Sequence, residues 1–299
     1  MEVKLQHYHL PSSSSSSSSI RWWSKEMVAI VTGANKGIGF SLVKELAEAG
    51  LTVILTARDV DRGLKAVEDL RRNYGLHVLF YRLDVSDFTS IQTFVQQFHN
   101  DFGVFDILVN NAAVSFNDIH ENSVEHAETV IKTNFTGPKL LIDSLLPFYR
   151  RSHSRSRILN ISSRLGSINK LKNLEIKEML VSEDLKEEEI ERMIKDFIQN
   201  VKYGTWKTKG WPEIWTDYSV SKLALNAYSR VLAKRYKDSG LSVNCFCPGF
   251  TQTSMTGGKG THTAQHAAVF AATLALLPPQ HLPTATFFMG FTPGIISKL

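Results

Sequence analysis

Short apolar runs alternate with helix-length segments from residue 27 onward, and this alternation restricts the possible folds more than any other feature. Each run is four to six residues long, as expected of strands that are buried on both faces. Strands separated by helices pair in parallel through right-handed crossovers. The sequence therefore predicts an α/β fold with a doubly wound parallel sheet of about seven strands. The predicted strands are Met27–Thr32, Thr52–Thr56, His77–Tyr81, Phe105–Val109, Arg157–Ile161, Leu241–Cys245 and Thr286–Met289.

The segments between these strands have the length and polarity of helices. Gly50 and Gly75 follow the first two of them, and glycine commonly ends a helix. A third helix is predicted from Asp87 to Phe102. After the fourth strand, a single long helix is predicted to continue through Leu146.

One connection is much longer than the others. About fifty residues separate the fifth strand from the helix that begins near Asp217, and we place an insertion at about residues 167–216. In its middle, between Ser182 and Val201, apolar residues recur at helical spacing on one face. The sequence predicts an amphipathic helix that packs onto an apolar surface of the domain. Its apolar positions are Ile190, Met193, Ile194, Phe197, Ile198 and Val201.

The first 26 residues differ in composition from the rest of the chain. Eight consecutive serines, Ser12–Ser19, form a low-complexity tract that cannot bury enough surface to offset its ordering entropy. We interpret residues 1–26 as a disordered, serine-rich extension of a cytoplasmic protein and residues 27–299 as a single folded domain. A plastid transit peptide is the alternative, because the segment is rich in serine and has more basic than acidic residues.

Composition argues against several classes of function. Lys and Arg total 34 against 29 for Asp and Glu, and a net charge of +5 suits a small anionic ligand as well as nucleic acid. No nucleic-acid-binding motif accompanies the basic cluster at Arg150–Arg157, which we interpret as a solvated face.

The sequence contains no run of eighteen apolar residues, so it predicts no transmembrane helix. The histidines lack metal-ligand spacing, and Cys245 and Cys247 are interpreted as buried thiols in a reducing compartment. We therefore expect no nucleic acid, membrane or metal as a partner.

A glycine-rich loop, TGANKGIG from Thr32 to Gly39, stands between the first strand and its helix. Glycines here allow a tight turn and let the backbone approach a pyrophosphate, whose charge is stabilised at the helix N-terminus. A plain strand-to-helix turn is the alternative, but the position at the start of a strand–helix–strand unit favours dinucleotide binding and a Rossmann-type fold. The candidate cofactor-binding residues of the loop are Gly33, Asn35, Lys36, Gly37, Ile38 and Gly39.

The end of the second strand indicates which dinucleotide binds. NAD sites place an acidic residue there, whereas NADP sites place arginine against the 2′-phosphate. Here Arg58 follows the strand, Arg62 comes one helical turn later, and Lys36 lies in the glycine loop. Three cations directed at one phosphate predict NADPH/NADP⁺ as the cofactor. Asp59 is interpreted as the cap of the next helix.

Further motifs occur in order along the chain: Asp84-Val85, NNAA at Asn110–Ala113, Asn134, Ser163, YSVSK at Tyr218–Lys222, and Pro248-Gly249. Together with the glycine loop they resemble the short-chain dehydrogenase/reductase family over residues 27–299. The insertion and the triplet Ala57–Asp59 are similar to its monomeric carbonyl-reductase branch, to which plant menthone/neomenthol and salutaridine reductases belong. The family usually has glycine where this chain has Ala113. The resemblance implies these further cofactor-binding residues: Asp84, Val85, Asn111, Ala112, Tyr218, Lys222, Pro248, Gly249 and Thr253.

Tyr218 and Lys222 are four residues apart on a predicted helix, so their side chains share a face. A free tyrosine has a pKa of about 10. A nearby ammonium and the nicotinamide cation are expected to lower that pKa toward neutrality, where the phenol can exchange a proton with a substrate oxygen. An ordinary exposed Tyr–Lys pair is the alternative interpretation.

Ser163 and Asn134 complete the candidate catalytic set. Ser162 and Ser163 end the fifth strand, at the edge of the sheet where α/β proteins bind ligands, and a hydroxyl there can donate to a carbonyl oxygen. The residues alone leave both serines open. The resemblance selects Ser163, because the family has glycine three residues later, here Gly166. It also implies that Asn134 orients a water beside the lysine for proton relay.

These features predict an NADPH-dependent carbonyl reductase or alcohol dehydrogenase. It would transfer hydride between NADP(H) and a small ketone, aldehyde or secondary alcohol, with terpenoids and alkaloids as candidate substrates. A catalytically silent NADPH-binding regulatory protein is the alternative. A sugar-nucleotide epimerase is a third candidate, although the glycine spacing resembles dehydrogenases instead.

The insertion bears on assembly and on specificity. In oligomeric members of the family, the helix that carries the tyrosine pairs with its copy in a neighbouring subunit. We expect the insertion to cover that surface within one chain, and we therefore predict a monomer.

Three tryptophans precede Tyr218 and are predicted to reach the mouth of the substrate pocket, with packing inside the insertion as the alternative. They are Trp206, Trp211 and Trp215.

Overall fold

The structure is a computed structural model, and it describes residues 21–116, 122–151, 156–290 and 296–298. The strands are β1 (Val28–Val31), β2 (Thr52–Ala57), β3 (Leu79–Arg82), β4 (Ile107–Asn110), β5 (Ser156–Ile161), β6 (Leu241–Cys247), β7 (Thr251–Gln252), β8 (His262–Thr263), β9 (Thr286–Met289) and β10 (Ile296–Lys298). β7 and β8 pair with each other. The other eight form one sheet in the order β10-β9-β6-β5-β4-β1-β2-β3.

This sheet confirms the predicted doubly wound parallel architecture. All neighbouring strands run parallel except β9 and β10, which are antiparallel. The bounds of the seven parallel strands lie within two residues of the predicted bounds. β10 was not predicted, because a strand of three residues is too short to show an apolar pattern.

Helices cover both faces of the sheet. They are α1 (Gly37–Glu48), α2 (Val60–Tyr74), α3 (Phe88–Asp101), α4 (Val124–Ile131), α5 (Gly137–Leu145), α6 (Leu174–Val181), α7 (Glu187–Lys202), α8 (Thr216–Arg235) and α9 (Ala264–Ala275). Successive side chains of a strand point to opposite faces. In β1, Val28 and Ile30 belong to the apolar cluster that includes residues of α3, α4, α5, α7 and α8, whereas Ala29 and Val31 belong to the cluster that includes residues of α1, α2 and α9. Both faces are therefore apolar, which explains why the parallel strands read as continuous apolar runs.

The predicted single helix through Leu146 is interrupted. A π-helical turn, Lys132–Thr136, separates α4 from α5, and the Gly137 N–H donates to Lys132 O, five residues earlier. Pro138 has no N–H with which to continue the α-helical pattern. The prediction of one continuous helix is therefore wrong at this point. Turns of this kind often lie at functional sites, and this one contains Asn134.

The insertion folds into α6 and α7, and α7 confirms the predicted amphipathic helix. Its apolar face packs against α4 and α8, and Phe197 is fully buried there. A charged contact fixes the start of α7, because Lys139 Nζ of α5 lies 3.2 Å from Glu187 Oε2 and 3.5 Å from Glu191 Oε1. The insertion thus covers the surface that α4 and α8 form together.

Two of the three tryptophans near the end of the insertion pack inside it. Trp211 is 1% exposed, its indole N–H donates to Asn200 Oδ1 at 2.9 Å, and its ring centroid lies 5.2 Å from that of Phe197. Trp206 is buried in the same apolar cluster. The prediction that all three tryptophans reach the pocket mouth is therefore wrong for Trp206 and Trp211, whose rings fill the core of the insertion.

Trp22 and Trp23 pack against the domain, although they belong to the predicted extension. The indole N–H of Trp22 donates to Leu276 O at 2.9 Å, and that of Trp23 donates to Ala49 O at 3.1 Å. The guanidinium of Arg157, a residue only 2% exposed, lies 3.8 Å from the centroid of the Trp22 ring. The expectation that all of residues 1–26 lie outside the fold is wrong for these two rings, since large aromatic surfaces gain from burial. The serine tract lies outside the described residues.

Within the described ranges, no helix is both long and apolar enough to cross a membrane. In the same part of the chain, no three His, Cys, Asp or Glu side chains are grouped so that they could hold a metal ion. Cys245 and Cys247 are free thiols, and both are buried.

Candidate active site

A cavity of about 830 Å³ opens where the parallel strands end. Residues that end or follow β1, β4, β5 and β6 line it, as expected for ligand sites of open α/β sheets. Most of the predicted site residues lie in its wall: Gly33, Asn35, Lys36, Gly37, Ile38, Arg58, Asp84, Val85, Asn111, Ala112, Ser163, Tyr218, Lys222, Pro248, Gly249 and Thr253. Gly39, Arg62 and Asn134 lie outside the wall.

The glycine loop brings backbone close to the cavity. Gly33 has a φ of +61°, and a Cβ there would lie 2.8 Å from Cα of Ala112, so a larger residue does not fit. α1 begins at Gly37 without a side-chain hydrogen bond from its N-cap, Lys36, and without an acidic residue in its first turn. The first turn of α1 therefore does not itself neutralise the positive end of the helix dipole, which suits the phosphates of a dinucleotide.

Asn111 joins the glycine loop to the end of β4. Its Nδ2 donates to Thr32 O at 2.8 Å and to Gly33 O at 3.1 Å. A Cβ on Gly39 would lie 2.5 Å from that same Nδ2, which explains why glycine is needed at a position outside the cavity wall. Ala113, where the resemblance implies glycine, lines the cavity without a positive φ, so its methyl group requires no strained backbone.

Two of the three predicted cations line the cavity. These are Arg58 and Lys36. Arg62 instead forms an ion pair with Asp59 at 3.3 Å, and its side chain is 67% exposed. Arg62 therefore does not line the cavity with the other two cations, because the first turn of α2 carries it away. Asp59 Oδ1 accepts the Arg62 N–H at 2.9 Å, which confirms the predicted helix cap.

Tyr218 and Lys222 lie one turn apart on α8, and both line the cavity. Lys222 is buried, and its Nζ donates to Ile161 O at 2.8 Å. The same Nζ lies 5.5 Å from the centroid of the Tyr218 ring. Burial lowers the pKa of Lys222 to about 8, because a charged ammonium loses its hydration inside the protein.

The pKa of Tyr218 depends on its surroundings in the cavity. In the protein itself, burial raises this pKa above its usual value, the nearby Cys247 thiol adds to the rise, and a hydrogen bond with Ser163 lowers it. In the protein alone, removing a phenolate from water costs more than the Ser163 hydrogen bond returns. The lowering expected from the nicotinamide cation stays a prediction. A phenol with a raised pKa is protonated at neutral pH, which is the state required of a proton donor.

The structure distinguishes the two candidate serines. The Ser162 hydroxyl donates to Asn226 Oδ1 at 2.6 Å. The Ser163 hydroxyl hydrogen-bonds the Tyr218 phenol and accepts the Leu165 N–H at 3.1 Å. Ser163 is therefore the serine beside the tyrosine.

Asn134 supports the site from behind the cavity wall. It is fully buried, its Oδ1 accepts the Val114 N–H at 2.8 Å, and its Nδ2 donates to Val114 O at 2.9 Å. Nδ2 also donates at 3.1 Å to Oγ of Ser221, whose hydroxyl donates to Tyr218 O at 2.7 Å. Asn134 thereby joins the loop after β4 to the helix that carries Tyr218.

Several apolar residues of the cavity were not predicted. Phe116, Ile214 and Phe250 line it and remain 44%, 55% and 45% exposed. Trp215, the one predicted tryptophan in the wall, has a φ of +47°, and its ring centroid lies 5.9 Å from that of Tyr218. Ile214 lies close to Tyr218 in the sequence, and this closeness could have indicated that it lines the cavity. No local sequence pattern marks Phe116 as a cavity residue.

The family model described as short chain dehydrogenase matches residues 27–174 and 208–264. The unmatched interval, 175–207, falls inside the predicted insertion. The (+)-neomenthol dehydrogenase of Arabidopsis thaliana is 38% identical over 283 aligned positions, and the match covers 87% of this chain and 95% of that protein. Carbonyl reductase (NADPH) 1 of Mus musculus is 36% identical over 265 aligned positions, and the match covers 86% of this chain and 93% of that protein.

The fold is shared with a solved relative. The structure of salutaridine reductase from Papaver somniferum matches with a TM-score of 0.80 at 35% identity, and the match covers 88% of this chain and 99% of that one. The residues matched by the family model include the glycine loop and the segment from Tyr218 to Lys222. Sequence, fold and cavity thus agree, and the chain belongs to the short-chain dehydrogenase family as one of its oxidoreductases.

Proposed function

We propose that this protein is an NADPH-dependent carbonyl reductase, and that it acts in reverse as an alcohol dehydrogenase. The observation that carries the proposal is the grouping of Ser163, Tyr218 and Lys222 in one cavity with the glycine loop. The proposed substrate is a small ketone, aldehyde or secondary alcohol, with terpenoids and alkaloids as the favoured classes. The names of the Arabidopsis and mouse relatives support this reaction class, and the apolar side chains of Phe116, Ile214 and Phe250 suit such substrates.

The residues present fit NADPH. The glycine loop and the N-terminus of α1 would hold the pyrophosphate, and Arg58 with Lys36 would hold the 2′-phosphate. Lys222 would hold the nicotinamide ribose through its hydroxyls. When bound, NADPH supplies the hydride that reaches the carbonyl carbon.

The proton comes from the protein. Tyr218 donates it to the substrate oxygen, and the raised pKa keeps the phenol protonated at neutral pH. The Ser163 hydroxyl donates a hydrogen bond to the same oxygen while negative charge develops on it. The ammonium of Lys222 stabilises the phenolate that remains. Asn134 holds α8 in place, and we propose that it also orients a water through which Lys222 exchanges protons with solvent.

A substrate panel tests the proposal. Monoterpenoid, alkaloid and small carbonyl compounds are incubated with NADPH and the protein, and oxidation of NADPH is followed by its absorbance. Turnover that requires both the carbonyl compound and the protein is the expected result. NADPH binding without turnover on any class would instead favour a regulatory protein that binds the cofactor.

Substrate choice is expected to depend on Trp215. Its ring lies in the cavity wall beside Tyr218, so Trp215→Ala should change the ratio of kcat/KM between a bulky and a small ketone by about tenfold or more. The KM for NADPH should change little, because the glycine loop is untouched. Trp206→Phe is the matched control, since Trp206 packs inside the insertion. A change in preference as large in the control as in Trp215→Ala would contradict a specific role of Trp215.

A monomer is expected in solution. α7 packs on α4 and α8, and this is the region through which we expect oligomeric relatives to pair. Light scattering should therefore give a mass near 33.6 kDa. The same measurement on a chain that starts at Arg21 shows whether the serine-rich segment causes any association of chains. A mass two or four times that of the chain would show that the pairing surface is free.

A cytoplasmic location completes the proposal. Cys245 and Cys247 are free, buried thiols, which suits a reducing compartment. A plastid location, to which the serine-rich segment would direct the protein, is the alternative.

A further inference from the structure

Asn226 lies outside the cavity wall, yet it contacts both ends of the turn that carries Ser163. The Ser162 hydroxyl donates to Asn226 Oδ1 at 2.6 Å, and Asn226 Nδ2 donates to Gly166 O at 3.1 Å. A carbonyl oxygen can only accept, so the second bond fixes the orientation of the amide. The side chain of Asn226 therefore bridges the residue before Ser163 and the residue three positions after it.

The same turn is in direct contact with the backbone of α8. A Cβ on Gly166 would lie 2.5 Å from the carbonyl carbon of Lys222 and 2.6 Å from Leu223 N. Ser163 begins the turn, and its Oγ accepts the Leu165 N–H at 3.1 Å. The position of the Ser163 hydroxyl therefore follows the position of the whole turn against α8.

Tyr218, Lys222 and Asn226 are spaced by four residues, so they occupy one face of α8. α8 is continuous from Thr216 to Arg235, and no flexible segment separates Asn226 from Tyr218. We propose that Asn226 is a positioning residue that sets the Ser163 hydroxyl relative to the Tyr218 phenol. This role rests on the proposed reductase function, because it assumes that these two hydroxyl groups act on the same substrate oxygen.

A double-mutant cycle tests this role. Asn226→Ala should reduce kcat by about 10- to 100-fold, because a small misplacement of a catalytic group has an effect of this size. The dissociation constant for NADPH should change by less than about twofold, since the glycine loop is unaltered. In a Ser163→Ala background, Asn226→Ala should reduce kcat by less than about threefold, because no hydroxyl remains to be positioned. Equal fold-losses in the two backgrounds would overturn the proposal.

The pH profile gives a second readout, which does not require the slow Ser163→Ala protein. The Ser163 hydrogen bond lowers the pKa of Tyr218, so loosening it should raise that pKa. In alcohol oxidation the phenol must be ionised to accept a proton, and the rising limb of kcat for Asn226→Ala should therefore move to higher pH. A reduced kcat with an unmoved limb would contradict the proposed role.

Asn173 offers a matched control within the insertion. It accepts the Ile176 N–H at 3.0 Å and donates to Lys209 O at 3.1 Å, so Asn173→Ala also removes one accepted and one donated hydrogen bond. Its melting temperature should fall, but kcat should stay within about twofold of native. A kcat loss equal to that of Asn226→Ala would mean that general loosening explains both and would overturn the proposal.

Ser162→Ala keeps the test available if Asn226→Ala does not fold. It removes one of the two bonds of Asn226, and its smaller kcat loss should likewise disappear in the Ser163→Ala background. A loss that persists there would count against the proposal. Absence of turnover by the native protein on every substrate would contradict the proposed function itself. That outcome is distinct from the outcomes above, which all compare variants with an active native protein.

Discussion

Tyr218→Phe is expected to lose nearly all turnover while it keeps its affinity for NADPH. The substitution removes only the phenolic hydroxyl, which is the proposed proton donor, and general acid catalysis contributes about 10²- to 10⁴-fold. The ring remains to fill the cavity wall beside Trp215. Steady-state rates on a ketone and NADPH binding by fluorescence measure the two quantities separately.

Tyr228→Phe is the matched control for this prediction. Tyr228 lies on the same helix and is buried, and its hydroxyl donates to Asp143 Oδ1 at 2.9 Å, away from the cavity. Loss of a hydrogen bond to a charged group should lower the free energy of unfolding by about 2 kcal/mol without lowering kcat. If Tyr218→Phe kept half of the native rate, another group would have to supply the proton.

Arg58→Asp is expected to abolish or invert a strong preference for NADPH over NADH. Arg58 and Lys36 both line the cavity, and a charge-assisted contact contributes about 1.5–3 kcal/mol. Two such contacts correspond to a preference of about 100-fold or more. An aspartate would repel the 2′-phosphate and accept from the ribose hydroxyls of NADH. The ratio of kcat/KM for the two cofactors measures the change.

Arg62→Ala serves as the control for the cofactor prediction. Arg62 is paired with Asp59 and is mostly exposed, so its removal should change the cofactor ratio by less than about threefold. A larger effect would mean that Arg62 turns toward the phosphate in the complex. Equal efficiency of the native protein with NADPH and NADH would rule out the assignment of NADPH.

The sheet could be predicted from sequence because its strands are buried on both faces. β1 is apolar at every position, and no amphipathic pattern has to be resolved to recognise it. The π-helical turn could not be predicted in the same way. Its residues keep the apolar spacing of an ordinary helix, and Pro138 alone marks the place where the hydrogen-bond pattern changes.

The candidate site could be predicted where chemistry restricts the residue type. Tyr218 and Lys222 are identified by their kind and spacing and Ser163 by the family resemblance, and the structure places all three in one cavity. Arg58 and Arg62 have the same chemistry, and only the course of α2 decides which of them faces the cavity. No sequence pattern indicates that burial raises the pKa of Tyr218 in the protein alone, since burial depends on the packed surroundings and not on neighbours along the chain.

Trp22 and Trp23 extend the folding unit to the N-terminal side of β1. A chain that began at Met27 would lack the ring over Arg157, a buried guanidinium whose Nε and Nη1 have no hydrogen-bond partner within the described residues. Proteolytic removal of an affinity tag would have to occur before Arg21 to keep the contacts of Trp22 and Trp23 with the domain. A truncated chain therefore has to keep these two aromatic side chains, and not only the first strand, to retain the contacts of the described residues.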